Sequence, residues 1–258
     1  TASISSSVLK KLIEKSIFEE FHIQEDRVNF RNNKAENELH LSQPQQIAFD
    51  EIKQVFLSKD VCLLHGITAS GKTEIYIKLI EKQLESGNQV LYLLPEIALT
   101  TQLVSRLTKY FGNKVAVFHS KYSNNERVEV WQNVLNSSEK AQIVIGARSA
   151  LFLPFSNLGF VIIDEEHEQT FKQQDPAPRY HARDAAIVLA NFFKAKVVLG
   201  SATPSIESYY NATSDKFGLV SLNQRFGNFQ LPEIELIDLK DSYFRKKMKG
   251  HFSLSLID

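Results

Sequence analysis

Gly66-Ile67-Thr68-Ala69-Ser70-Gly71-Lys72-Thr73 follows the apolar run Val61-Cys62-Leu63-Leu64 and leads into Glu74-Ile75-Tyr76-Ile77-Lys78-Leu79-Ile80, whose apolar residues recur at helical spacing. Strand, then G-x-x-x-x-G-K-T, then helix is the phosphate-binding P-loop in its structural context. The glycines let the backbone wrap closely round phosphate oxygens, and the helix N-terminus offers unpaired N–H groups and a favourable dipole. Gly66, Thr68, Ser70, Gly71, Lys72 and Thr73 are therefore candidate ligands of a nucleoside triphosphate. Lys72 is placed to reach the β- and γ-phosphates and the Thr73 hydroxyl to ligate Mg²⁺. The plainer reading, a glycine turn capping an ordinary helix, leaves the flanking strand and helix unexplained.

Outward from this stretch the chain keeps an α/β rhythm. Strands are predicted at 61–64, 90–94, 115–118, 143–145, 160–163 and 197–199, with helices at 44–57, 72–85, 96–111, 124–135 and 182–193. Several strands are apolar throughout, as in a parallel sheet covered on both faces. The pattern predicts an α/β fold, a mostly parallel doubly wound sheet with ligands outside the carboxyl ends of its strands. Val220 and the segment 234–239 read as extra strands on the sheet edge or as an excursion toward a further domain. At the other end, residues 5–20 read as a serine-capped amphipathic helix, and Phe18 to Ile23 alternates like a short strand. Residues 24–40 are polar and charged, a linker.

The totals bound the function. The chain has 258 residues, 43% hydrophobic and 23% charged, with a formal net charge of +0. No global basic field advertises nucleic acid, so any such site is local. One cysteine, Cys62, excludes a disulfide framework and a cysteine-rich zinc site. No stretch is apolar and long enough to span a bilayer, so no membrane partner is expected. The start at Thr1 and the end on Leu254-Ser255-Leu256-Ile257-Asp258, which reads as an opening helix, suggest a fragment of something longer.

Two further landmarks bear on chemistry. Val161-Ile162-Ile163-Asp164-Glu165-Glu166-His167 is an apolar strand ending in two carboxylates at the phosphate end of the sheet. Asp164 is placed to hold Mg²⁺, directly or through water, and Glu165 to orient and deprotonate an attacking water. The bland alternative is a solvated acidic turn. Gly200-Ser201-Ala202-Thr203-Pro204 follows the strand Val197-Val198-Leu199; alone, Ser201 or Thr203 caps the next helix. Third after a P-loop and Asp-Glu, it reads as the link between hydrolysis and conformational change.

These three motifs, in this order, resemble superfamily 2 helicases. Leu93-Leu94-Pro95-Glu96-Ile97-Ala98-Leu99-Thr100, Ile145-Gly146-Ala147-Arg148-Ser149-Ala150-Leu151-Phe152, and Phe171-Lys172-Gln173-Gln174 followed by Arg179-Tyr180-His181-Ala182-Arg183-Asp184 narrow the resemblance. They are similar to the bacterial replication-restart DNA helicases of the primosomal protein N′ (PriA) family. The resemblance covers 41–258 as the first RecA-like lobe, with a weaker match of 1–40 to the end of a winged-helix DNA-binding region. It implies an ATP- and Mg²⁺-dependent 3′→5′ helicase in the bacterial cytoplasm, acting on single-stranded and forked DNA with primosome and single-strand-binding proteins. The second motor lobe, its arginine finger and the family's zinc-binding cysteines are expected elsewhere, so this chain alone is expected to be nearly inactive.

By the same resemblance, Gln45 in Leu41-Ser42-Gln43-Pro44-Gln45 is the amide that pairs with the adenine edge. The loop after His167 is the aromatic-rich loop that couples DNA to hydrolysis. There Phe171, Tyr180 and His181 are expected to stack on bases, and Lys172, Arg179 and Arg183 to meet phosphates. The alternative is that the rings are core residues and the arginines pair with Asp175 and Asp184. Pro95-Glu96, Thr100, His119-Ser120, Arg148 and Ser149 are expected along a single-strand track, and His167, Ser201 and Thr203 to serve coupling. Ala69, where the family often has glycine, and Asp175-Pro176-Ala177-Pro178, where a glycine-containing segment is expected, depart from the pattern. Rival readings are another superfamily 2 translocase, such as an RNA helicase or restriction-enzyme motor, and a non-catalytic nucleotide- or DNA-binding module.

Overall fold

The computed structural model describes residues 39–96, 101–119, 122–225 and 236–256. The expected winged-helix remnant and its linker lie outside these residues up to position 38, as do Thr100 and Ser120. The chain divides into two compact units, Thr1–Gln224 and Arg225–Asp258.

The described part of the first unit is a seven-stranded sheet between two helical layers. In chain order its elements are α1 (Gln43–Ser58), β1 (Val61–Gly66), α2 (Lys72–Glu85), β2 (Gln89–Leu93), α3 (Thr101–Phe111), β3 (Val115–Phe118), α4 (Asn124–Leu135), β4 (Ile143–Gly146), β5 (Leu158–Asp164), α5 (Ala182–Phe193), β6 (Lys196–Ser201), α6 (Ile206–Thr213) and β7 (Gly218–Leu222). The strand order is β3-β4-β2-β5-β6-β1-β7, and every pairing is parallel. The expected doubly wound parallel sheet is what the chain forms.

Strand alternation builds two cores. Val61, Leu63, Leu91, Leu93, Val161 and Ile163 face one side, where they meet Val130 and Val134 of α4 and Ala182, Ala186 and Ala190 of α5. Cys62, Leu64, Val90, Tyr92 and Ile162 face the other, against Phe49 and Ile52 of α1, Ile75 and Tyr76 of α2 and Leu107 of α3. The alanines of α5, spaced four apart, bring that helix close to the sheet. Cys62 is fully buried, and burial pushes its thiol up to about 12, so it is an inert core residue. Helix starts follow local chemistry: Ser123 and Glu126 form a reciprocal capping box on α4.

The differences from expectation are local. The strands run longer than their apolar cores, so Asp164, Gly200 and Ser201 belong to β5 and β6. Of the helix expected over 96–111, the described part runs from Thr101 to Phe111. Helix α6 was given no bounds from sequence, because its eight residues Ile-Glu-Ser-Tyr-Tyr-Asn-Ala-Thr show too short a stripe, and its cap is Ser205 rather than Ser201 or Thr203. Val220 lies in β7, the parallel edge strand beside β1. The strand expected over 234–239 is not formed in its described part: 236–238 is irregular and a helix, α7 (Leu239–Phe244), begins at Leu239.

The second unit contains α7 and a hairpin of β8 (Met248–Lys249) and β9 (Phe252–Ser253). Gly250 turns the hairpin at φ +63°, a conformation that favours glycine. The helix expected to open at the chain's end is a 3₁₀ turn, Leu254–Leu256. No described helix is long and apolar enough to cross a membrane.

Candidate nucleotide and nucleic-acid site

Strand order assembles the site. The P-loop leaves β1, Asp164-Glu165 leaves β5 and Ser201-Ala202-Thr203 leaves β6, and β5, β6 and β1 are neighbours. In register, Asp164 stands beside Gly200 and Gly200 beside Leu64. Three segments well separated in sequence thus end side by side, about 4.8 Å between strands.

The P-loop leaves no room for side chains where phosphate is expected. A Cβ on Gly66 would press on Ser70 Oγ and the Lys72 stem, at 2.9 and 3.0 Å. Gly71 holds φ +83° and begins α2. Lys72 Nζ donates to the Gly66 carbonyl at 2.9 Å, folded back across the loop. Ser70 is 2% exposed, and its hydroxyl has no partner. An orphaned donor beside a lysine, in a glycine-lined turn at a helix N-terminus, suits a phosphate group. Thr73 stands in the first turn of α2. Ala69 sits at φ +61°, so its departure from glycine carries a real conformational cost.

Gln45 requires a correction. It is 1% exposed, its Oε1 accepts from the Ser42 N–H and hydroxyl at 2.8 and 3.0 Å, and its Nε2 donates to the Gly71 carbonyl at 3.1 Å. Both lone pairs of the acceptor that an adenine edge would need are engaged. Gln45 braces α1 against the P-loop, and a Cβ on Gly71 would collide with its amide.

The Asp164 carboxylate accepts from Tyr76 Oη at 3.2 Å, from the Glu165 N–H at 3.2 Å and from Tyr92 Oη at 3.1 Å. Burial and the adjacent Glu165 carboxylate raise its pKa to about 6, against the pull of Lys72 and the two tyrosines. Burial and the charge of Asp164 hold both tyrosines well above their usual range, so they remain donors. Glu165 adopts φ +50°, a left-handed conformation in a non-glycine residue, which turns its side chain out of the strand line. His167 Nδ1 lies 2.8 Å from Ser201 Oγ and 3.7 Å from Glu165, and its Nε2 is 3.4 Å from Thr203 Oγ1. The Ser201 hydroxyl, fully buried, also accepts from the Thr203 N–H at 3.0 Å. His167 therefore joins the ends of β5 and β6.

Glu166, given no role from sequence, is the most heavily engaged group of the site. Fully buried, it accepts from Arg183 Nη1 at 2.9 Å, Ser205 N at 2.7 Å, Ser205 Oγ at 3.0 Å and Ser208 Oγ at 2.7 Å. Only its place inside the D-E-E-H run could have flagged it. Arg183 needs a second correction: it is 7% exposed and also donates to Asp184 at 2.8 Å. Burial works against its charge, but Asp184 and Glu166 outweigh that and hold it above its usual range. It is a tie between α5 and the loop after β5, with Nε and Nη1 both engaged inside the protein. Phe171 is the third correction: at 0% exposure it packs in the core and offers no ring to a base.

The remaining loop residues do face outward. Lys172, Arg179 and Ser149 are exposed. Arg148 donates to the Lys172 carbonyl at 3.0 Å, tying the loop after β4 to the loop after β5. Tyr180 packs edge-on against Phe152, which is 65% exposed and was not singled out from sequence. Lys172 and His181 bridge antiparallel, and Gln173 bonds the Pro176 and Pro178 carbonyls, so the proline segment folds into a compact turn. Burial and Arg183 lower the pKa of His181, whose Nδ1 is buried without a partner. A cavity of about 550 Å³ opens between Pro95, Glu96, Arg148, Thr170, Lys172 and Asp175. His119, beyond β3, packs its ring at a tilt against Tyr122, with centroids 4.1 Å apart.

Residues 42–212 match the DEAD/DEAH box helicase family. The Replication restart protein PriA of Bacillus subtilis is 41% identical over 258 residues, 98% of this chain and 32% of that relative. The Haemophilus influenzae protein of the same name is 43% identical, over 96% of this chain and 35% of its own length. The chain thus spans about a third of the length of these relatives. Among solved structures, RecG bound to a three-way DNA junction superposes with a TM-score of 0.53 at 20% identity, over 88% of this chain and 26% of that one. The DUF1998 helicase MrfA bound to DNA gives 0.52 at 19%, over 72% and 27%. Both likenesses concern the fold.

Proposed function

Because the chain belongs to the DEAD/DEAH box helicases, we propose that it is the ATP-binding motor lobe of a replication-restart DNA helicase. The observation that carries this reading is the convergence of Lys72, Asp164-Glu165 and Ser201-Thr203 on three adjacent strands. The glycine-lined loop and Ser70 take the phosphates. Lys72 leaves the Gly66 carbonyl to bond the transferred phosphoryl group, and Glu165 orients and deprotonates the attacking water. Thr73 and Asp164 are the residues that would hold Mg²⁺, which would supply neutralising charge to the phosphates.

Hydrolysis is transmitted along two links. His167 joins Glu165 to Ser201 and Thr203. Glu166 and Arg183 join the same turn to α5 and the loop bearing Lys172, Arg179 and Tyr180. The DNA contacts we assign to that outward surface are phosphates for Arg148, Ser149, Lys172 and Arg179, and base stacking for Tyr180. Movement 3′→5′, a preference for forked DNA and assembly with primosome and single-strand-binding proteins extend this proposal, supported by the similarity to PriA.

The test is nucleotide binding and hydrolysis by the protein carrying this lobe, with and without forked DNA or RNA, beside Lys72→Ala. Stimulation by forked DNA, lost in Lys72→Ala, is expected. Stimulation by RNA alone would favour an RNA helicase. Unchanged nucleotide affinity in Lys72→Ala would leave a binding module with a vestigial P-loop.

A further inference from the structure

Two tyrosine hydroxyls are buried beneath the candidate Mg²⁺ carboxylate. Tyr76 comes from α2 and Tyr92 from β2, both at 0% exposure, with their rings edge to face at 5.7 Å. Phenylalanine would fill either place without hiding a polar atom, whereas a buried hydroxyl costs stability unless it is bonded. Both hydroxyls end on Asp164, one on each oxygen. The backbone accommodates them: a Cβ on Gly200 would fall on the Tyr76 hydroxyl. The residue just before Ser201 therefore has to be small for Tyr76 to reach its acceptor.

The count of donors sets what remains open. A carboxylate offers about four lone-pair sites. Oδ1 accepts from Tyr76 and from the Glu165 N–H, and Oδ2 accepts from Tyr92. One site, on Oδ2, is left. We propose that Tyr76 and Tyr92 are positioning residues that lock the Asp164 carboxylate so that it presents a single oxygen, Oδ2, to Mg²⁺ or to a water of its shell. The inference rests on the motor-lobe reading. Donors behind a metal-binding carboxylate fix its orientation, and their loss weakens metal affinity by roughly tenfold or more. The pair also joins the P-loop helix, β2 and β5 at one carboxylate, so nucleotide and metal are held by a common brace.

The experiment titrates Mg²⁺ against binding of a fluorescent ADP by the wild-type protein, Tyr76→Phe, Tyr92→Phe and the double variant, with metal-free thermal unfolding recorded beside it. Both single variants keep the buried ring and are expected to fold. Each is expected to raise the half-saturating Mg²⁺ concentration severalfold, and the double variant by about tenfold or more. Nucleotide binding without metal is expected to change less than twofold. A metal midpoint within twofold of wild type in both single variants would overturn the inference, whatever happens to the melting temperature. Absence of Mg²⁺-dependent nucleotide binding in the wild-type protein would instead bring down the motor-lobe reading, and this inference with it.

Discussion

At the scale of single residues, the P-loop and the acidic turn both hold conformations or charges that work against stability. Ala69 occupies the left-handed region at φ +61°, which costs a residue with a Cβ about 1–2 kcal/mol. Glycine removes that strain but widens the unfolded ensemble. Ala69→Gly is therefore expected to stabilise the fold by about 0.5–1 kcal/mol, read by chemical unfolding. Asp164 acts through charge. Its folded pKa, raised to about 6, lies above the unfolded value near 3.8. The folded state then binds more protons between those values, so this group's contribution falls as pH rises through that window and stays lost above it. Asp164→Asn is expected to abolish hydrolysis and to raise stability at pH 8 by roughly 1–2 kcal/mol, with no gain at pH 3. Thermal unfolding at the two pH values checks the sign. The motif letters announced Lys72, Thr73, Asp164 and Glu165. They did not announce Tyr76, Tyr92 or Glu166, whose partners lie far off in sequence.

At the scale of elements, the loop after β5 and the start of α5 divide basic residues into two kinds that look alike in sequence. Arg179 and Lys172 are exposed, while Arg183, four positions on from Arg179, is clamped by Glu166 and Asp184. Removing one partner of a buried ion pair strands the other and costs about 3–5 kcal/mol. Arg183→Ala is expected to lower stability by that order, seen as a large fall in melting temperature. Arg179→Ala is expected to stay within about 0.5 kcal/mol of wild type while weakening single-strand binding and reducing its salt slope by about one. Equal stability in the two variants would return Arg183 to the nucleic-acid surface. The sequence showed a cluster of cations among aromatics; which cation is turned inward depends on where α5 and α6 pack. Phe171 and Tyr180 are separated for the same reason.

At the scale of the molecule, the candidate site draws its residues from the ends of β1, β5 and β6. Transition-state charge in phosphoryl transfer is stabilised by donors placed round the transferring group, and an arginine supplied by a partner element is worth about 10³–10⁵ in rate. This chain by itself is expected to bind Mg-ATP weakly and to turn it over at least a thousandfold more slowly than it does when a partner element supplies that arginine. Steady-state hydrolysis with saturating single-stranded DNA checks this, and rapid DNA-stimulated turnover would contradict it. The fold was legible because its signals are local and repeated: apolar strands at regular intervals, helical stripes between them, and a glycine-containing turn joining a strand to a helix. A short helix such as α6 and the segment around 234–239 escaped because few residues carry their pattern. By itself the sequence determined the sheet, the glycine-lined turn after β1 and the two carboxylates at the end of β5, since each follows from side-chain periodicity or from a contiguous motif. Tertiary structure alone decided that β6 lies between β5 and β1, that Gln45 faces the P-loop backbone, and that two tyrosines and a buried arginine hold the acidic turn. Those outcomes depend on strand order and on which face of a helix meets the sheet, and no short stretch of chain encodes either.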